Sequence, residues 1–229
     1  MTIRLYELVG SDAARPFSPH CWKIAMALAH KGLSWESVPT RFTEVKQVEG
    51  GAGLVPVLRD GEKVVTDSFA IALYLEEAYP DRPSLFRGEG GKAMARFIEG
   101  WAFTQLHSIL GMAAVMDIHA CLDPADQAYL TASREARFGM KLEEAKKLGS
   151  DRMEGFSARL EPLRAMLRHQ PFIGGESPLF ADYILFGTFQ WIRIVRPQSF
   201  LEHDDEVSRW FDACLDLHEG LGRRVPAAA

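Results

Sequence analysis

The first eighty residues show a strand-helix-strand order followed by strand-strand-helix, and this order admits few folds. Alternation of apolar and polar residues over 2–9 predicts a strand, and helical spacing over 18–32 predicts a helix. The stretch 33–40 then predicts a second strand. A strand-helix-strand unit favours a parallel pair, because the helix carries the chain back to the starting edge. The chain is therefore predicted to begin with a parallel β-α-β unit.

A hairpin and a second helix complete this predicted unit. Two apolar runs within 54–67 flank Asp60-Gly61, a pair suited to a tight turn. A helix follows over 67–80. Together these segments predict a small four-stranded sheet with helices, which makes residues 1–80 an α/β domain.

The composition changes after this domain. Proline and glycine are concentrated in 81–91, which predicts a linker. Residues 92–229 contain no convincing strand. Helical periodicity instead marks the stretches 92–122, 124–148, 153–170, 180–195 and 205–222. The second domain is therefore predicted to be all-helical.

Composition narrows the classes of function. The 229 residues are 47% hydrophobic, which is enough for a sizeable core. A net charge of −5 without a basic stripe argues against a nucleic acid partner, and no apolar run reaches the ~20 residues of a membrane helix. The N-terminal stretch lacks the features of a signal sequence. The scattered cysteines Cys21, Cys121 and Cys214 match neither a metal site nor a disulfide framework. We therefore expect a cytoplasmic protein without a bound metal.

Ser18 begins the first predicted helix, where backbone N–H groups lack partners and the helix end carries partial positive charge. Its hydroxyl either caps the helix or donates to an anion bound above the helix end. Taken alone, the order Ser18-Pro19 favours capping, because proline suits the first helical position.

Two further features concern the backbone around the hairpin. Pro56 interrupts a predicted strand, which either a cis Val55–Pro56 bond or an ordinary trans edge proline would explain. With the cis bond, the N–H and C=O of Val55 stay free to pair with an extended peptide. Asp67 and Ser68 open the next helix and either cap it or hold an α-amino acid head group. Ser68 would then bind the carboxylate and Asp67 the ammonium group.

In this order the features resemble the cytosolic glutathione transferases, and the resemblance covers essentially the whole chain. It is carried by FSPHCWKIAMAL at 17–28, LVPVL at 54–58, DSFAIALYLEEAYP at 67–80 and PFIGGESPLFADYILFG at 171–187. It implies a thioredoxin-like N-terminal domain, an all-helical C-terminal domain, glutathione as co-substrate and a homodimer. SPHCWK and FADYILFGTFQWIRI further resemble the serine-type, β-etherase-like transferases of lignin-degrading bacteria and their fungal relatives.

The resemblance implies roles for five residues. Ser18 matches the serine that hydrogen-bonds the glutathione sulfur. Val55, before the matching Pro56, would pair with the backbone of the cysteinyl moiety. Asp67 and Ser68 match the acidic-serine pair that holds the γ-glutamyl end.

Of the remaining site residues, Arg41 follows from the same resemblance, and the others follow from their positions on the predicted helices. Arg41 falls where several classes keep a basic residue for the glycyl carboxylate, although an intervening loop separates it from the anchor motif. His20, beside Ser18, is either a base or a helix residue that faces solvent, and we expect the second. The fourth predicted helix supplies candidates for the acceptor site, although aromatic and methionine residues at such positions are more often core or subunit contacts. These candidates are Trp101, Phe103, His107, Met112 and Met116.

The sequence departs from the family's usual pattern at three points. Asp67 stands where many classes have glutamate, so its reach is one methylene shorter. Leu179 replaces the serine or threonine that usually precedes Asp182 by three residues, which leaves Asp182 without its capping-box partner. The Cys-x-x-Cys motif of thioredoxins is reduced to Ser18 and Cys21, so the attacking position is a hydroxyl.

The resemblance implies an enzyme that activates the glutathione thiolate for attack on a small hydrophobic electrophile. The reaction would be conjugation, as in detoxification, or cleavage of a β-aryl ether. A glutathione-dependent isomerase and a non-catalytic glutathione- or ligand-binding protein are the alternatives. The intact set around Ser18, Val55-Pro56 and Asp67-Ser68 favours catalysis, because a scaffold has no need of it.

Overall fold

The computed structural model describes residues 2–50 and 53–228, and its N-terminal part is built on a four-stranded sheet. The sheet has the order β2-β1-β3-β4, in which β1 pairs parallel with β2 and antiparallel with β3, and β3 pairs antiparallel with β4. The strands are β1 (Ile3–Leu8), β2 (Trp35–Thr40), β3 (Val57–Asp60) and β4 (Lys63–Thr66). The predicted mixed sheet is thus present.

The hairpin turn lies one residue beyond the predicted position. Asp60 pairs with Lys63, so the two turn residues are Gly61 and Glu62. Gly61 has a φ of +57°, a backbone conformation that glycine adopts without a Cβ clash. Asp60 instead belongs to the strand, and its carboxylate accepts a hydrogen bond of 2.9 Å from the hydroxyl of Tyr74.

Two helices pack on the sheet and begin at the predicted caps. Helix α1 (Pro19–His30) follows Ser18, whose side chain accepts a hydrogen bond from the N–H of Cys21. Helix α2 (Ser68–Ala78) follows Asp67, whose side chain accepts hydrogen bonds from the N–H groups of its first turn. The buried face of α1 meets the sheet on one side and the helical domain on the other.

The helical domain contains shorter segments than the sequence predicts. Its helices are α3 (Glu89–Trp101), α4 (Ser108–Ala113), α5 (Val115–Ala120), α6 (Pro124–Phe138), α7 (Leu142–Arg152), α8 (Phe156–Arg159), α9 (Glu161–Leu167), α10 (Phe180–Val195) and α11 (Glu206–Arg224). A π-helical segment, Ala102–His107, connects α3 to α4. The predicted continuous helix over 92–122 is therefore four segments, and Gly139 divides the predicted helix over 124–148.

Helix α10 is the central helix of this domain, and it also contacts α1. Gly187 permits this contact, because a Cβ there would lie 2.3 Å from the carbonyl oxygen of Pro19. Trp22 on α1 packs edge-on against Phe186, with ring centroids 6.0 Å apart. The first turn of α1 is thus held in place by the centre of the helical domain.

Helix α10 begins without the usual serine or threonine cap, because Leu179 occupies that position. The buried carboxylate of Asp182 accepts hydrogen bonds from the N–H groups of Ile173, Gly174 and Leu179 and from the indole of Trp210, at 2.7–2.9 Å. Burial raises the pKa of Asp182, and these donors oppose that shift. One carboxylate therefore joins the turn at Ile173 and Gly174 to both α10 and α11.

Within the described residues, no helix is both long and apolar enough to cross a membrane.

Candidate functional site

Ser18 lies at the N-terminus of α1, at the floor of a cavity between the two domains. Only 4% of Ser18 is exposed, and its oxygen accepts the Cys21 N–H at 3.4 Å. This leaves the hydroxyl proton free to point into the cavity. Pro19 has no N–H, and Trp22 N–H bonds to the carbonyl of Ser18. The helix end therefore presents a hydroxyl donor together with its partial positive charge.

The cavity has a volume of about 540 Å³ and brings together residues from both domains. Of the predicted site residues it gathers six, namely Ser18, His20, Val55, Phe103, His107 and Met112. The cavity is mostly apolar, since aromatic and aliphatic side chains supply most of its wall. It therefore suits an apolar acceptor whose reacting atom lies near Ser18.

Val55 precedes β3, and its peptide bond to Pro56 is cis. The register of the sheet begins at Val57, so the backbone groups of Val55 lie just beyond the ladder. Within residues 2–50 and 53–228, no backbone hydrogen bond of Val55 is present. This exposes one N–H and one C=O at the edge of the cavity, as an extended peptide requires.

Asp67 and Ser68 lie at the N-terminus of α2 and do not line the cavity. One oxygen of Asp67, Oδ1, accepts hydrogen bonds from the N–H groups of Phe69 and Ala70 at 3.0 and 2.9 Å. Asp67 is exposed and Ser68 is buried. Capping thus occupies Oδ1 of Asp67, and the exposed carboxylate retains Oδ2 for a further donor.

A partly buried ion pair between α1 and α3 is a feature that the sequence did not reveal. Lys23 is 3% exposed and its ammonium group lies 3.2 Å from the carboxylate of Glu99 on α3. Burial lowers the pKa of Lys23, while Glu99 and Asp67 oppose this shift. The two residues line a second cavity of about 340 Å³, together with Arg96. Only the packing of α1 against α3 brings these charges together, so sequence spacing carries no signal for them.

His20 and His107 form a stacked pair between the two cavities. Their ring centroids are 5.3 Å apart with an interplanar angle of 12°. Burial lowers the pKa of His20 well below its usual 6.5 and lowers that of His107 to about 4, with Lys23 adding to both shifts. Both rings are therefore neutral at pH 7. The expectation that His20 faces solvent is wrong, because α3 and its π-helical extension cover this side of α1.

Three further predicted site residues lie outside the cavity. The guanidinium of Arg41 forms an ion pair with Asp123 at the start of α6, and Arg41 does not line the cavity. Trp101 packs against the hydrophobic core at the end of α3 and is also outside the cavity. Met116 on α5 does not line it either, whereas Phe103 of the π-helical segment does and is 55% exposed.

The far wall of the cavity comes from residues that sequence reasoning missed. Phe42, after β2, stacks on Tyr129 of α6 with ring centroids 6.1 Å apart. Arg134 and Arg137 of α6 also line the cavity, as does Trp191 of α10. The i, i+3 spacing of the two arginines was visible in the sequence. Their position at the cavity depends on how α6 packs, which the sequence did not predict.

Cys21 is buried and not available for thiol chemistry. It has no exposed surface, and burial raises the pKa of its thiol to about 12. The nearby carboxyl of Glu7 adds to this shift. The second half of the Ser18–Cys21 motif is therefore structural in this protein.

Comparison with known proteins points to one family. The family model described as "Glutathione S-transferase, C-terminal domain" matches residues 93–217, and "Glutathione S-transferase, N-terminal domain" matches residues 14–83. The chain is 43% identical to the zeta-class glutathione S-transferase of Euphorbia esula over 70 residues, 28% of this chain and 31% of that protein. The matches to the zeta-class relatives span about a third of those proteins' length.

Two longer matches cover most of the chain. Glutathione S-transferase omega-1 of Mus musculus is 25% identical over 205 residues, 86% of this chain and 72% of that protein. The crystal structure of the glutathione S-transferase CsGST63524 of Ceriporiopsis subvermispora, in complex with glutathione, superposes with a TM-score of 0.78. It is 21% identical and covers 100% of this chain and 99% of that chain. The predicted arrangement of a thioredoxin-like domain followed by a helical domain is thereby confirmed.

Proposed function

The chain belongs to the glutathione S-transferase family, and we propose that it activates the glutathione thiol at Ser18 for attack on a small apolar electrophile. The observation that carries this proposal is the position of Ser18. Its buried hydroxyl stands at a helix N-terminus and faces a cavity between the domains. That arrangement favours a sulfur anion over a neutral thiol.

The stabilisation available at Ser18 matches the free energy needed to lower the pKa of the glutathione thiol. A free thiol has a pKa near ~8.5, so lowering it by two units requires about 2.7 kcal/mol of preferential stabilisation of the thiolate. A hydrogen bond to a charged group contributes roughly 1.5–3 kcal/mol. The helix terminus contributes roughly 0.3–1 kcal/mol more. Ser18 together with the end of α1 can therefore lower the pKa of the thiol by two units without a metal or a general base.

Three features support a bound position for glutathione. Its cysteinyl backbone would pair with the free N–H and C=O of Val55, which precedes the cis Pro56. Its γ-glutamyl ammonium group would meet Oδ2 of Asp67, and its carboxylate would meet Ser68 at the N-terminus of α2. The solved relative in complex with glutathione supports glutathione as the co-substrate. Arg41 is the proposed partner of the glycyl carboxylate only if its ion pair with Asp123 opens.

The reaction we propose is a substitution at carbon. The thiol proton passes to solvent, the thiolate forms a carbon–sulfur bond with the electrophile, and the leaving group departs with its bonding electron pair. In ether cleavage the leaving group is an aryl oxide; in aromatic conjugation it is a halide. His20, His107 and Met112 form part of the acceptor site, since all three line the cavity with Ser18. Resemblance in SPHCWK and in α10 supports the serine-type, β-etherase-like branch.

A glutathione-dependent isomerase is the second candidate. The likeness to a zeta-class transferase over 70 residues favours it. The isomerase branch also has serine and tryptophan in its first-helix motif, as this chain has Ser18 and Trp22. We further propose a homodimeric, cytoplasmic protein, in keeping with the family and with a supply of reduced glutathione.

Two experiments test the proposed function. Retention on immobilised glutathione and elution by free glutathione would distinguish a working site from a scaffold. Asp67→Ala, Ser68→Ala should lose retention, whereas Lys146→Ala on the exposed face of α7 serves as a matched control. Incubation with a β-aryl ether, a chloronitroarene and a maleyl diketo acid then separates ether cleavage, conjugation and isomerisation. Failure of all three substrates, with no binding of glutathione, would overturn the proposal.

A further inference from the structure

The larger cavity carries net positive charge although the chain as a whole carries −5. Arg134 and Arg137 both line it, and none of its lining residues is an aspartate or a glutamate. In the part of the chain that the structure describes, neither arginine forms an ion pair. Arg134 is partly buried and Arg137 is exposed at the cavity. A cavity built only for a neutral apolar molecule has no need of a partly buried cation without an ion-pair partner.

The guanidinium groups of Arg134 and Arg137 also repel each other. They lie three residues apart on one face of α6, a spacing at which like charges repel. Burial lowers the pKa of Arg134, and the charge of Arg137 adds to this shift. The side chain of Arg134 donates to the hydroxyl of Ser133 at 3.0 Å, which satisfies one N–H and no charge. An anion between the two arginines would relieve this repulsion.

Arg134 is held in a defined place by aromatic contacts. Its guanidinium carbon lies 5.9 Å from the centroid of the Phe42 ring, within the range of a cation–π contact. Phe42 in turn lies 6.2 Å from Phe17, measured between ring centroids, and Phe17 is adjacent to Ser18. An aromatic wall thus runs from the reacting end of the cavity to the arginines.

The loop that carries Phe42 is tied to α6 by two contacts. The N–H of Thr43 donates to the buried carboxylate of Asp126 at 2.9 Å, and Arg41 pairs with Asp123. Because both acceptors belong to the first turn or cap of α6, the loop and the arginine face keep one relative position. The loop therefore holds Phe42 beside Arg134, which preorganises this part of the cavity.

We infer that Arg134 and Arg137 form an anion subsite, which selects an acceptor substrate bearing a carboxylate on an aromatic framework. This inference rests on the proposed function, because it places the electrophilic carbon at Ser18 and the carboxylate at α6. A planar carboxylate matches the two-pronged donor geometry of a guanidinium. The arginines determine specificity and do not take part in bond making.

The test compares an acid with its neutral ester. We would measure kcat/KM for para-chloro-meta-nitrobenzoate and for its methyl ester, each divided by its uncatalysed rate constant with glutathione. Wild type should favour the acid. Arg134→Gln should lose roughly tenfold to a hundredfold more rate with the acid than with the ester. Arg134→Lys should recover part of that preference. Arg152→Gln, which removes the same charge from an exposed position on α7, should not change it.

The carboxylate could instead be that of glutathione, and a second comparison separates the sources. If Arg134→Gln raises KM for glutathione and the defect disappears with the glycyl ethyl ester of glutathione, the arginines bind the glycyl end and the inference is overturned. Equal loss with acid and ester also overturns it.

A direct binding measurement keeps the inference testable if no turnover occurs. Calorimetry with para-nitrobenzoate should show binding that Arg134→Gln weakens and Arg152→Gln does not. Such binding without turnover of any electrophile would contradict the proposed function and retain the anion subsite. Turnover of the neutral ester without any preference for the acid would support the proposed function and contradict the anion subsite.

Discussion

At the scale of single residues, Asp67 has two separable roles. It caps α2 through Oδ1, and it adopts a φ of +72°, a conformation in which asparagine and aspartate are the tolerated polar residues. Asp67→Asn keeps a capping oxygen but removes the charge. We expect it to weaken glutathione binding about tenfold, because one charge-assisted hydrogen bond is lost, and to leave the unfolding midpoint unchanged.

Asp67→Ala is the informative comparison for that variant. It removes the cap as well, so stability should also fall by about 1 kcal/mol. Calorimetric titration with glutathione and urea unfolding measure the two effects separately. If Asp67→Asn binds glutathione as tightly as wild type, the charge of Asp67 does not contribute to binding and the residue serves only as a helix cap.

Glu7 is a buried carboxyl beneath α1 that the proposed reaction does not use. It is 4% exposed and accepts a hydrogen bond from Ser37 at 2.5 Å. Burial raises its pKa from the usual 4.5 to about 7, and the bond from Ser37 opposes that shift only in part. The folded protein therefore binds a proton that the unfolded chain releases above pH 4.5, so this residue costs stability as the pH rises from 4.5 to 7.

Glu7→Gln should remove this cost, since a glutamine oxygen can still accept from Ser37. We expect the variant to exceed wild type by on the order of 3 kcal/mol at pH 8 and to match it at pH 4. Urea unfolding at the two pH values measures the difference. A variant that is less stable than wild type at pH 8 would show that the carboxylate form is favoured in the fold.

At the scale of elements, a hydrogen-bonded chain of side chains joins α1, α10 and α11. His30 Nε2 lies 3.1 Å from the carbonyl of Ser84 and must donate to it, so Nδ1 accepts from the hydroxyl of Tyr183 at 2.7 Å. The Tyr183 oxygen then accepts from His218 Nε2 at 3.1 Å. Every member is satisfied while both imidazoles are neutral.

This chain predicts a loss of stability in acid. Burial lowers the pKa of His218 to about 4 and lowers that of His30 as well, whereas unfolded histidines take up a proton near ~6.5. Between those values the unfolded state binds more protons, so the free energy of unfolding falls as the pH falls from 6.5 to 4.

For His218, which is partly screened by solvent, the effect should be about 1–2 kcal/mol. His218→Asn should flatten the dependence over that interval, and asparagine tolerates the φ of +52° found there. Unfolding curves between pH 4 and 7 measure how the free energy of unfolding depends on pH. Equal slopes in variant and wild type would show that His218 does not cause the loss of stability in acid.

Elements with local signals were predictable, and those that depend on packing were not. The caps at Ser18 and Asp67 and the succession of strands and helices along the first domain follow from neighbouring residues. The π-helical segment that carries Phe103 and His107 has no local signal, because it arises where α3 and α4 pack on different neighbours. The cationic wall at Arg134 likewise depends on how α6 meets the loop after β2.

At the scale of the whole molecule, we predict a homodimer. Phe97 on α3 is 67% exposed and Leu54 beside the cavity is 71% exposed, as subunit contacts in a dimer would be before association. Light scattering at micromolar concentration should give twice the mass of the chain. Phe97→Glu should shift it to the monomer, whereas Lys146→Glu on α7 should not. A monomeric wild type would contradict the prediction.

We propose that the whole fold serves to place the Ser18 hydroxyl and the α1 terminus at the sulfur of glutathione. Thiolate absorbance of bound glutathione, followed against pH, tests it directly. Wild type should titrate about two units below the ~8.5 of a free thiol. Ser18→Ala should return the pKa by roughly one to two units towards that value, while Ser18→Thr, which keeps a hydroxyl at the cap, should stay near wild type. An identical titration in wild type and Ser18→Ala would show that the sulfur of glutathione does not lie at Ser18.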